Sequence, residues 1–184
     1  MTTETMPIQH AIASRGAETD DADGVARFAV RFYRLIWLMP AAFAAHIAEE
    51  YVGGFPRWAT AVWHGSMNLL AFDLNNAGFM AIMLALTAWT ARSRSRPAAF
   101  ALLSWCSGNL FWDAGVHIFT TPLFDRYSPG LITSALLYVP ISLLVGAAAV
   151  RGRVLSAGQL AGALAAGFAL IALVIWWGVF HFKI

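Results

Sequence analysis

His46-Ile47-Ala48-Glu49-Glu50 puts an imidazole and two carboxylates within about one helical turn. Spacings of three and four residues place His46, Glu49 and Glu50 on one face of a helix. Asn109, Asp113 and His117 recur every four residues and form a second stripe, and Asp73 with Asn76 forms a third. Paired histidines and carboxylates on neighbouring helices are how helical bundles hold metal ions. Donors that are only nitrogen and oxygen suit zinc or iron. Cys106 is the single cysteine, which excludes a thiolate site and an intrachain disulfide and reads as a small packing residue. The expected ligands are His46, Glu50 and His117, with Asp113 as a ligand or orienting group. Glu49, Glu50 and Asp113 are the candidates for proton transfer. Asp73, Asn76 and Asn109 are expected to orient these groups by hydrogen bonding.

The elements that must position these residues are apolar helices. Of the 184 residues 59% are hydrophobic and 12% charged, and the mean hydropathy is +0.64. A soluble domain has about a quarter charged residues, so this composition indicates an integral membrane protein. Five segments reach the roughly 20 apolar residues that a crossing needs, at about 28–50, 68–91, 98–121, 131–150 and 158–181. The fold class expected is therefore all-α, a polytopic bundle of five transmembrane helices over residues 27–184, preceded by a flexible polar tail over 1–26. The tail carries Glu18, Asp20, Asp21 and Asp23 and lacks the basic and apolar regions of a signal peptide.

Arginine placement orients the bundle. Arg27, Arg31 and Arg34 open the first segment, Arg92, Arg94 and Arg96 follow the second, and Arg151 and Arg153 follow the fourth. By the positive-inside rule the N-terminus is cytoplasmic and the C-terminus outside, in a bacterial cytoplasmic membrane. Counting about 1.5 Å per residue from the inner ends of the first and third segments places His46 and Asn109 about 16 Å deep. Glu50 and Asp113 lie about 22 Å deep on the same count, so the stripes meet in the outer half of the bilayer. Polar stripes in hydrocarbon must face inward and satisfy each other. Residues 51–67 hold Gly53, Gly54, Pro56, Trp58, Trp63 and His64, and read as a break followed by a short interfacial segment. Trp176 and Trp177 read as membrane anchors at the same surface. The formal charge of +2 gives no case for nucleic acid.

The sequence His46 to Glu50, the stripe Asn109-x-x-x-Asp113-x-x-x-His117 and the turn Tyr127-Ser128-Pro129-Gly130 occur in the order of the HXXEE-motif family of bacterial integral membrane proteins, which the chain resembles from about Trp37 to Val150. The resemblance implies membrane topology and a shared site, and no reaction. In the turn, Ser128 reads as an N-cap and Pro129 as the first residue of the next helix. Tyr127 reads as a hydrogen-bond donor at the rim of the site.

Three functions fit these residues. The first is a membrane-embedded, metal-dependent enzyme for a lipid-like or isoprenoid-like substrate, a hydrolase with zinc or an oxidase with two irons, in which a spare Glu shuttles the proton. The second is a metal-free acid/base isomerase or cyclase, with Trp105, and less favourably Trp112, stabilising positive charge on an apolar substrate. The third is a non-catalytic membrane protein that binds a metal or other ligand.

Overall fold

The structure is a computed structural model that describes residues 6–181, with side chains from residue 21. It is all-α, with no strand among the described residues. Helices α1 (Met6–Leu35) and α2 (Leu38–Gly53) are nearly continuous, so the acidic stretch read as a tail runs into a helix that starts at Met6. The step between them falls just before Pro40. Proline has no N–H to give the Ile36 carbonyl, which accepts from Met39 instead at 3.3 Å. Helix α3 (Phe55–Trp63) is short, and α4 (Leu69–Ser93) returns across the bundle. Next come α5 (Arg96–Cys106), a π-helical turn Ser107–Trp112 and α6 (Asp113–Leu123), which form one continuous rod. The rod beginning with α7 (Leu131–Thr133) passes through a second π-helical turn, Ser134–Tyr138, into α8 (Val139–Arg151). Helix α9 (Ala157–Val174) ends in a third such turn, Ile175–Val179.

Among the described residues four helices are long and apolar enough to cross a membrane: Asp21–Gly53, Leu69–Ser93, Leu131–Arg151 and Ala157–Val179. The expectation of five is corrected to four. The remaining stretch, Arg96–Leu123, is helical throughout but carries Ser104, Ser107, Asn109, Asp113 and His117, and this polarity removes it from the apolar set.

That polar rod packs against α4 and α9. Its crossing with α9 is close because glycines face each other: a Cβ on Gly167 would lie 2.6 Å from the Gly108 nitrogen, and one on Gly108 2.8 Å from the Gly167 carbonyl oxygen. Ser107 donates across this contact to the Ala163 carbonyl at 2.9 Å, the small-residue and hydroxyl packing that helices use in lipid. The main core gathers Phe32, Ile36, Met83, Leu102, Leu110, Tyr138 and Ala163 from five helical rods. Large apolar side chains such as Val52, Phe119 and Leu136 face outward, as a lipid-facing surface requires.

Candidate metal centre

Helix α2 ends where the chain turns sharply at Gly54 (φ 72°), and it delivers His46 and Glu50 to the bundle interior one turn earlier. The polar rod delivers Asp113 and His117 from the opposite side, just after its π-helical turn. A π turn widens the helix by one residue and often marks a functional site. Here Asn109 Nδ2 donates to the Trp105 carbonyl at 2.9 Å within that turn.

The four side chains converge. His46 Nε2 lies 3.3 Å from Asp113 Oδ2 and 3.6 Å from Glu50 Oε1. His117 Nε2 lies 3.5 Å from the same Glu50 oxygen and 3.7 Å from the same Asp113 oxygen. A tetrahedron with metal–ligand bonds of about 2.0–2.1 Å has edges of about 3.3–3.4 Å. Ligand atoms of His46, Asp113 and His117 all lie within 4.8 Å of one another. His46, Glu50 and His117 are buried and Asp113 is partly buried. His46 Nε2 makes no hydrogen bond although it is shut off from solvent. A buried imidazole nitrogen aimed at two carboxylates fits a cation between them.

The far side of each imidazole is also held. His117 Nδ1 meets Ser128 Oγ at 2.8 Å, and His46 Nδ1 meets Thr133 Oγ1 at 2.9 Å. Thr133 has one hydroxyl proton, which it donates to Glu49 Oε2 at 2.6 Å. It must therefore accept from His46, so a proton of that ring sits on Nδ1, and Nε2 is the nitrogen left to bind an ion between the carboxylates. That is the placement a metal ligand needs. Tyr138 stacks on the His46 ring at 4.4 Å and fixes its plane.

Glu49 is not at the centre with Glu50. Its Oε1 accepts the N–H groups of Gly130 at 3.2 Å and Ile132 at 3.1 Å, together with the Tyr127 hydroxyl. Its Oε2 accepts both donors of Thr133. The carboxylate thus caps the rod that begins at Leu131. A Glu at the end of α2 is opposed by that helix's own dipole, and the positive N-terminal end of the next rod offsets this. With its oxygens so occupied, Glu49 is not placed as the proton shuttle expected of it. Ser128 is likewise not the N-cap expected, because Gly130 occupies the cap position and the capping oxygens come from another helix. Tyr127 donates to Glu49, and partial burial with this neighbouring carboxylate pushes its phenol up to about 12.

Each residue of the turn Tyr127–Gly130 has a partner near the centre. Pro129 lies over Gly53, where a Cβ would be 2.6 Å away, and Gly130 passes under both rings. A Cβ on Gly130 would sit 2.5 Å from His46 Cε1 and 2.9 Å from His117 Cε1, and its φ of 104° favours glycine as well.

A cavity of about 70 Å³ opens beside the centre, with His46, Glu50, Asp113 and His117 in its wall. Asn76 and Asn109 line it, and Asn75 joins them. Asp73 does not, and is exposed. The face that α4 turns inward carries Phe72, Asn75, Asn76 and Phe79, and Asp73 falls about 100° from Phe72. Trp105 and Trp112 also stay outside the cavity wall. Their indole N–H groups donate to the carbonyls of Phe79 at 3.3 Å and Leu164 at 2.8 Å, and so belong to helix packing. Phe55 of α3 packs over His117 instead, at 5.7 Å between ring centroids.

Sequence reasoning missed the roles of Thr133, Tyr138 and Asn75. Thr133 and Tyr138 follow the turn by one helical turn and two, and Asn75 adjoins Asn76, so position carried a signal that residue type did not. The profile of a family described as proteins of unknown function with an HXXEE motif matches residues 37–145, and the chain belongs to that family. No curated protein and no solved structure matches the chain.

Proposed function

We propose that this HXXEE-family protein is a membrane metalloenzyme in which His46, Asp113 and His117 hold a zinc or iron ion and Glu50 acts as general base. The observation that carries this reading is the convergence of three ligand atoms from two helices, with a proton of His46 on Nδ1 and Nε2 left to bind. The ion would supply Lewis acidity at the reacting bond. Glu50 Oε1 stands against both imidazole nitrogens and faces the cavity, where it can take a proton from water. In hydrolysis the water oxygen bonds to the substrate carbonyl carbon, Glu50 carries the water proton to the leaving group, and the carbon–heteroatom bond breaks. Asn75 and Asn76 supply amide groups to the wall of the same cavity. The apolar surface supports a site within a membrane and a substrate drawn from it.

The same four-atom arrangement supports a second reading, a closed non-catalytic site in which Glu50 is the fourth ligand. Catalytic zinc keeps an open position, whereas structural zinc has four protein ligands. Elemental analysis of detergent-purified protein tests both readings. The expected result is about one zinc or iron per chain in wild type, lost in His46→Ala, His117→Ala and Asp113→Ala and kept in Glu50→Gln. Loss in Glu50→Gln as well favours the closed site. Absence of metal from folded, metal-incubated wild type overturns both.

A further inference from the structure

The cavity beside the centre is selective in charge and in size. Its titratable wall groups are Glu50, Asp113, His46 and His117, and neither Lys nor Arg lines it. A divalent ion held at the centre is balanced by the two carboxylates, so the wall leaves no net positive charge for an anionic head, phosphate or carboxylate. The remaining polar wall is uncharged: Asn75, Asn76 and Asn109, the last with its Nδ2 already given to the Trp105 carbonyl. Carboxamides recognise neutral carbonyl or hydroxyl groups, with donors and acceptors to match. At about 70 Å³ the cavity takes one functional group and not a whole lipid.

The rest of a larger substrate must therefore leave the cavity, and two apolar grooves share wall residues with it: one of about 310 Å³, through Asn75, Phe79 and Val174, and a larger one. The larger groove, of about 610 Å³, runs between α6 and α9, and its wall is almost entirely apolar. Val116, Ile171 and Ile175 line both the groove and the cavity, so they form a partition one side chain thick. Gly115 widens the groove on α6, and nothing lies within 4 Å of a Cβ built on it. The π-helical turn at Ile175–Val179 lies at the end of this partition.

We propose that the substrate is an uncharged long-chain carbonyl compound, an ester or amide, whose polar end seats between the metal centre and Asn75–Asn76 while its chain lies in the α6–α9 groove. This rests on the metal-centre reading for the reacting end alone. Shared wall residues argue for a substrate chain here rather than for an unrelated bilayer lipid.

The test uses the full chain in nanodiscs with a photoactivatable probe, a C12 primary amide carrying a mid-chain diazirine. Crosslinked residues are mapped by mass spectrometry, and metal content is measured on the same samples. The expected result is labelling concentrated on Ile118, Phe119, Phe168 and Ala172. Excess dodecanamide should compete at least tenfold better than dodecyl phosphate or dodecanoate. Ala172→Trp, which fills the groove, should abolish that labelling, and Asn76→Leu should remove the preference for the amide, both without loss of metal. Labelling spread over all lipid-facing helices and not displaced by dodecanamide overturns the proposal, as does equal competition by dodecyl phosphate. If labelling behaves as expected in protein that holds no metal, the substrate assignment stands and the metal reading falls.

Discussion

Thr133 gives both of its donors to one oxygen of Glu49, the backbone N–H at 2.8 Å and the hydroxyl at 2.6 Å. The same hydroxyl oxygen receives His46 Nδ1–H. A carboxylate on α2 therefore acts on an imidazole of its own helix through a residue more than eighty positions later in sequence. Glu49→Gln replaces one acceptor oxygen with an NH₂ that faces N–H and O–H donors. The expected cost is about 2–3 kcal/mol of stability, the range for hydrogen bonds to a charged group. Metal affinity should fall about 10- to 100-fold, as it does when groups that orient ligands are lost. Thr133→Val should reproduce the affinity loss. Chelator competition and thermal melts separate the two effects, and unchanged affinity in both variants would leave Glu49 with only the turn to hold.

Gly130→Ala should be disproportionately damaging for one methyl group. The left-handed backbone costs an alanine about 1–2 kcal/mol, and the new Cβ would press on His46 Cε1 from 2.5 Å. The expected outcome is a lower melting temperature together with at least a tenfold loss of metal affinity. Gly78→Ala is the control, because nothing lies within 4 Å of its Cβ position. Equal behaviour of the two variants in a metal titration would contradict the close approach at Gly130.

The Tyr127 phenol has its pKa raised from 10.0 to about 12 in the folded protein. A raised pKa means that the protonated form is favoured by folding, so the contribution is complete below pH 10 and is lost as pH climbs through 12. Wild type should therefore melt progressively closer to Tyr127→Phe as pH rises across that window. The difference between the two melting temperatures, followed from pH 8 upward, checks this; a difference that is flat or grows argues against the bond to Glu49.

Much of the site was legible because lipid penalises polar residues and so makes their spacing meaningful. His46, Glu50, Asp113 and His117 could be placed in the same outer half and on stripes of adjacent helices from helical periodicity and chain direction. Asp73 was misread because a spacing of three to Asn76 does not say which of the pair faces inward. Glu49 and Glu50 could not be told apart by type, since the difference lies in a partner on another rod. The count of crossings went wrong at Arg96–Leu123 because the residues that make the site also make that helix polar. The π-helical turns left no trace in composition, and they shift which residues face the cavity.

That polar rod has a consequence for how the protein folds. A helix bearing Asn109, Asp113 and His117 is a poor candidate to partition into lipid unaided. Asp113 and His117 find their partners outside the rod on α2 and on the turn that follows. Packing of Arg96–Leu123 into the bundle thus depends on a chain segment some fifty residues earlier in sequence. Packing of this helix and assembly of the centre become a single step, and a chain that failed to pair His46 with Asp113 would hold an unpacked polar helix rather than a folded but inactive protein.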